Sequence, residues 1–152
     1  MRSFFTEAGQ LKPPATQRQL QRGFLWACEF GHLPVVEFLL DRGADLLDQA
    51  DTSETGLHWA VVGAQLPVIQ FLLQRGASLE EHNAYGGTAL SQAGWSFAND
   101  VTTDFFPIFE TLLAAGAEVE EGWLQWLEGV FTRPPSEKER LADLLRRYGA
   151  KT

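Results

Sequence analysis

The sequence predicts an all-α solenoid, a row of stacked helix-turn-helix units, and three observations predict it. The chain repeats at an offset of 33 residues, proline opens and glycine closes the same helix in successive copies, and turn-forming segments separate the copies. Phe38-Leu39-Leu40-Asp41-Arg42-Gly43-Ala44 returns as Phe71-Leu72-Leu73-Gln74-Arg75-Gly76-Ala77. Leu33-Pro34-Val35-Val36 returns as Leu66-Pro67-Val68-Ile69, and Trp26-Ala27 as Trp59-Ala60. A fixed period of this length is the signature of a repeat architecture in which each unit is one supersecondary element.

The units run over 17–49, 50–82, 83–122 and 123–152. In the third, Thr88-Ala89-Leu90-Ser91 follows Thr55-Gly56-Leu57-His58 on time, but Gly116 lies 40 residues after Gly76, so seven residues are inserted. From Gly116 to Gly149 the interval is again 33, which marks a shortened C-terminal capping unit. The first helix of each pair carries small residues, Ala27 with Cys28, Ala60, and Ala89 with Ala93, which let a neighbouring helix approach closely. Pro34, Pro67 and Pro107 start the second helices, where the fixed φ is already helical and the missing N–H costs nothing. Val35, Val36, Phe38, Leu39 and Leu40 then cover one broad face, as do Val68, Ile69, Phe71, Leu72 and Leu73. Gly43, Gly76, Gly116 and Gly149 follow at the C-terminal cap, where a left-handed backbone is wanted. Gln49 to Glu54 and His82 to Gly87 are rich in turn residues and read as loops between units. One helix pair cannot hide its apolar face alone, so the units stack into a single elongated core and form one domain.

Composition bounds the function. A chain of 152 residues that is 45% apolar is one folded unit. No window approaches the roughly 18 consecutive apolar residues of a transmembrane helix. The start, Met1-Arg2-Ser3-Phe4-Phe5, leads into polar residues and Pro13-Pro14 instead of an apolar signal core, and Cys28 has no second cysteine to pair with. These features point to the cytoplasm. The net charge is -8, and nine acids but no Lys or Arg fall between Arg75 and Arg133. Such a field repels nucleic acid and anionic membranes and suits a basic protein patch, although a plain solvated acidic surface accounts for it equally well.

A 33-residue unit with Thr-x-Leu-His, Ala and Leu-Leu-x-x-Gly-Ala resembles the ankyrin repeat. Thr55-Gly56-Leu57-His58-Trp59-Ala60 is similar to the family's Thr-Pro-Leu-His-x-Ala with Gly in the Pro slot, and Asn83-Ala84-Tyr85-Gly86-Gly87-Thr88-Ala89-Leu90 to its loop and helix start. The first unit departs from the pattern with Arg22-Gly23-Phe24-Leu25, and the fourth with Gly122-Trp123-Leu124 and a polar second helix, as capping units do. The resemblance implies a protein–protein interaction module that uses its concave face, built from loop tips and first helices. It also implies that His58 hydrogen-bonds between loops and that Gly31-His32 forms the turn between paired helices.

Hidden chemistry is a weaker reading at each place where it arises. Cys28 and His32 are four residues apart and could share a helix face, but no third orienting group accompanies them and Cys28 fills a small-residue slot. His32, His58 and His82 lack metal-site spacing. Gly86-Gly87-Thr88 lacks a following lysine and reads as a turn and not as a phosphate loop. Trp26 and Trp59, one period apart, read as packing before ligand cage. The sequence therefore predicts no enzyme, no cofactor and no metal.

The residues expected to meet a partner are Phe30, Asp51, Glu54, His82, Tyr85, Trp95, Phe97 and Asp100. Phe30, Tyr85 and Trp95 are the large groups able to anchor an interface, with ordinary partial burial as their alternative. The insertion, between Trp95 and Phe106, alternates apolar and polar residues without continuing a helix cleanly, and should project near the concave side. Phe105 and Phe106, just before Pro107, are expected to fold back over the widened gap. The expected function is that of a monomeric adaptor, inhibitor or immunity-type protein. The alternatives are a structural or capping segment with no partner of its own, and an enzyme or small-ligand site at Cys28, His32 or His58.

Overall fold

The structure, a computed structural model, describes residues 17–44 and 55–150, and these form eight helices and no strand. They pair in chain order: α1 (Gln17–Phe30) with α2 (Leu33–Asp41), α3 (Gly56–Val62) with α4 (Leu66–Gln74), α5 (Ala89–Asn99) with α6 (Phe106–Ala114), and α7 (Trp123–Glu128) with α8 (Pro135–Arg147). The first helices α1, α3 and α5 stack in one row, and the second helices α2, α4 and α6 in another. No helix among the described residues is long and apolar enough to cross a membrane.

The predicted helix starts and stops have their causes in the backbone. Pro34, Pro67 and Pro107 each occupy the first turn of α2, α4 and α6. Each of the four second helices ends in the same cap, in which a glycine with φ between 91° and 105° reverses the chain. At α2 the N–H of Gly43 donates to Leu40 O at 3.2 Å and that of Ala44 to Leu39 O at 3.0 Å. Gly76-Ala77, Gly116-Ala117 and Gly149-Ala150 repeat the pair of bonds. Such a cap satisfies carbonyls that the helix leaves over, and it needs a left-handed residue, which glycine supplies without strain. In the α3–α4 turn the left-handed position is held by Ala64 with φ 55°, where Gly31 stands in the preceding unit with φ 76°.

Burial follows the repeat. Val36 and Leu39 of α2 return as Val68, Ile69 and Leu72 of α4 and as Ile108, Phe109, Leu112 and Leu113 of α6, all within one continuous core. Cys28 lies at the α1–α3 contact with its side chain fully buried, and a Cβ added to Gly56 would stand 3.2 Å from its sulfur. Burial alone pushes the thiol above the ordinary cysteine range, so the nucleophilic thiolate is suppressed.

His58 ties the second unit to the third. Thr55 and His58 form a capping box at the start of α3, with the Thr55 N–H donating to Nδ1 at 3.2 Å and the Thr55 hydroxyl oxygen accepting from the His58 N–H. Because Nδ1 accepts, the ring proton sits on Nε2, which donates to Gly87 O at 3.0 Å in the loop before α5. The ring is 1% exposed, so both nitrogens are satisfied away from water.

The next junction is built differently. Ser91 replaces the histidine, and Thr88 Oγ1 accepts its N–H at 3.3 Å as a local cap only. The load passes to Arg133, which is 6% exposed and stacks 4.4 Å from the centre of the Phe97 ring. Its Nε donates to Phe97 O at 2.7 Å, and Nη2 donates to Thr103 O at 3.1 Å and to Asp100 O. Its remaining charge meets Glu137 at 3.0 Å. An edge-to-face aromatic chain runs beside it, from Phe106 to Phe97, Phe109, Trp123 and Trp126, with centroids 5.4 to 6.4 Å apart. The insertion is accommodated here. α5 continues through Asn99, which corrects the expectation that this stretch breaks the helix, because Leu90, Ala93 and Phe97 fall on one buried face. Phe105 and Phe106 are buried where the chain returns.

Three measurements test this account. His58→Ala leaves the buried Thr55 N–H without its acceptor and removes one of the two donors to Gly87 O, and should cost about 1–3 kcal/mol in urea unfolding; a loss below about 0.5 kcal/mol would contradict the bridge. Arg133→Met should raise amide exchange across Trp123 to Ala150 before the first two helix pairs are affected, since it strips the donors from three carbonyls. Cys28 should react with a disulfide reagent at pH 8 at least about a hundredfold more slowly than N-acetylcysteine, and at the free rate once unfolded.

Candidate protein-binding face

Stacking α1, α3 and α5 leaves one side of that row uncovered, and large apolar side chains collect on it. On α1, Trp26 is 69% and Phe30 55% exposed, and their rings meet edge to face at 5.8 Å. Glu29, Val62 and Trp95 occupy one position in successive units, and exposure rises along that column to 65% at Trp95. Trp26 departs from the packing role that its repetition suggested: its counterpart Trp59 is half-buried between neighbours, whereas Trp26 lies on the outermost described helix.

Tyr85 stands at a loop tip, and the loop is rigid for identifiable reasons. Asn83 Oδ1 accepts the N–H groups of Tyr85 at 3.0 Å and Gly87 at 2.9 Å, and the Asn83 backbone N–H donates to Gly87 O at 2.9 Å. Gly86 takes φ 78° to close the turn, and the Gly87 carbonyl is the one that His58 holds. Side-chain and backbone bonds thus consume the loop's polar groups and leave Tyr85 94% exposed. The glycines serve this turn, as expected for Gly86-Gly87-Thr88.

Between α5 and α7 the face deepens into a groove of about 390 Å³. Trp95 and Asn99 of α5 line it together with Trp123 and Trp126 of α7 and with Glu120 and Glu121 from the segment before α7. Gly94 makes the groove possible, since a Cβ there would stand 2.8 Å from the Trp123 ring. Trp123 can therefore lie against the α5 backbone, with Trp126 at 77° to it.

The expected partner residues divide accordingly. Phe30, Tyr85, Trp95 and His82 are exposed on this side of the molecule or in the loops that border it. Asp100 is half-buried, and its carboxylate is committed to the loop: the Thr102 and Thr103 hydroxyls each donate to it at 2.6 Å, as does the Thr102 N–H at 3.0 Å. Those bonds lower its pKa to about 2. Phe97 is a correction: it is fully buried against Phe106, Phe109 and Arg133, so a partner docking on this fold cannot reach it. Asp51 and Glu54 lie outside the described residues. Sequence reasoning missed Trp26, Trp123, Trp126, Glu120 and Glu121. The run Glu118-Val119-Glu120-Glu121-Gly122-Trp123 was the available signal, hidden by reading the fourth unit only as a cap. Among the described residues no group of three or more His, Cys, Asp or Glu is placed to hold a metal ion.

The comparisons with known proteins agree with the architecture. No curated protein sequence matches the chain. Among solved structures it is similar to a chain in that of the Bd0816 predatory endopeptidase from Bdellovibrio bacteriovorus in complex with immunity protein Bd3460. The identity is 34% and the TM-score 0.56, over 66% of this chain and 49% of that one, so the match spans about half of the neighbour's length. A family described as ankyrin repeats in three copies matches residues 24–121, well over half of the sequence. The chain belongs to the ankyrin-repeat family.

Proposed function

We propose that the chain is a protein-binding module whose partner docks along the exposed side of the first helices, the Tyr85 loop tip and the α5–α7 groove. The observation that carries this reading is the group of exposed aromatics on the first helices and the loop before α5, Trp26, Phe30, Tyr85, Trp95 and Trp126, on a scaffold that buries Phe24, Phe97, Phe105 and Phe109 completely; Phe38, Phe131 and Tyr148 are exposed elsewhere, on a second helix, in the α7–α8 turn and at the end of α8. Aromatic side chains left in water on one face are the usual anchors of interfaces, because each buries a large area for little rotamer entropy. The rigid turn under Tyr85 adds pre-organisation, which lowers the entropic cost of docking.

A non-catalytic role fits the same geometry. The side chains with most chemical potential are spent on structure, Cys28 in the α1–α3 contact and His58 in its bridge to Gly87. A purely structural segment is disfavoured because Tyr85 at its loop tip and Trp95 stay exposed in a unit that already has a neighbour on each side. The likeness to a chain from an endopeptidase–immunity protein complex supports a peptidase as the partner and an inhibitor or immunity-type role.

Capture from an extract of the cells that make the protein tests the reading, with three baits confirmed to be folded. Wild type and Phe38→Ala, altered on the second-helix side, should retain the same protein, and Tyr85→Ala/Trp95→Ala should lose it by at least about tenfold. Equal capture by all three baits overturns the assigned face. A captured peptidase should lose activity when wild-type protein is added back, and undiminished activity would reject the inhibitor role.

A further inference from the structure

We propose that the α5–α7 groove receives a cationic side chain, an arginine or lysine of the partner, which stacks on the indoles and sets its charge against Glu120 and Glu121. This rests on the reading of the chain as a protein-binding module and adds what the partner must present. The walls are of the right kind. Trp123 and Trp126 meet at 77° with centroids 5.4 Å apart and form a corner of two indole surfaces, and Trp95 of α5 also lines the groove. Tryptophan presents the most favourable ring face to a cation, and a guanidinium can stack on one ring while its edge hydrogen-bonds to carboxylates. The groove's volume of about 390 Å³ admits one long side chain with flanking backbone.

The charge points the same way. Glu120 and Glu121 are exposed, and neither is engaged in an ion pair or hydrogen bond among the described residues. The nearest basic residues along the chain are committed elsewhere, Arg75 to Asp41 at 3.2 Å and Arg133 to Glu137 at 3.0 Å. The groove is therefore an apolar slot bordered by two carboxylates that make no ion pair among the described residues. An acidic side chain would be repelled. A neutral apolar one would gain the indole contacts but leave the carboxylates without a partner, so a cation alone uses both features.

The test needs no partner protein. The five tryptophans give separate indole N–H signals, assigned by single Trp→Phe substitutions, and the probe is N-acetylarginine N-methylamide beside its uncharged citrulline counterpart. Trp95, Trp123 and Trp126 should shift saturably, with Trp26 unmoved and the citrulline probe weaker by about fivefold or more. Glu120→Gln/Glu121→Gln should weaken the arginine probe to the citrulline level. Equal response to both probes reduces the groove to an apolar slot and overturns the proposal, as does uniform movement of all five signals or of none. A failed titration beside successful face-dependent capture removes this inference and leaves the module reading. A successful titration with no capture does the reverse.

Discussion

Two short antiparallel helices cannot bury their shared apolar face against each other, and every unit in this chain relies on its neighbour to finish the task. That constraint sets the register. Residues such as Val36, Ile69 and Phe109 must reach the same depth in successive layers, so helix length, cap geometry and turn must recur with them. The identical glycine caps after α2, α4, α6 and α8 keep the layers in step, since each reverses the chain by the same pair of backbone bonds. Junctions that do not repeat must then be explained one at a time.

The two junctions bridged by buried polar side chains, His58 and Arg133, solve the problem by different means. Between the second and third units, an imidazole that accepts at Nδ1 and donates at Nε2 joins the start of α3 to the loop before α5. Between the third and fourth, α5 has grown past its usual end, and its last carbonyls, with one in the following loop, would face the core without donors. A guanidinium suits that gap better than an imidazole, because its five N–H groups lie in one plane and can serve several acceptors at once. Its flat face covers the Phe97 ring, so one residue supplies both polar satisfaction and apolar cover.

Much of this was legible in the residues. The proline starts, the glycine stops and the core positions of the second helices follow from patterns repeated in register, where several local signals agree, and the bridging role of His58 from the resemblance to the ankyrin repeat. The insertion was harder. Its alternation of Phe97, Val101 and Phe105 with polar neighbours concealed the helical spacing of Leu90, Ala93 and Phe97, and the donor that allows the helix to lengthen, Arg133, lies more than thirty residues downstream. Tertiary partners at that separation leave no local trace. The same limit applies to the face: Tyr85 and Trp95 stood out by type and position, whereas the groove needs Gly94 to admit Trp123, a close approach no single segment announces.

The groove's position has a consequence for how such a chain can change over evolution. Its walls belong to two adjacent layers, α5 on one side and α7 on the other, so it exists only where those two layers meet. Duplicating a unit near the beginning would lengthen the scaffold and leave the groove intact. A duplication between the third and fourth units would separate Trp95 from Trp123 and destroy it. Lengthening near the beginning of this molecule therefore spares the groove, whereas a unit inserted between the third and fourth removes it.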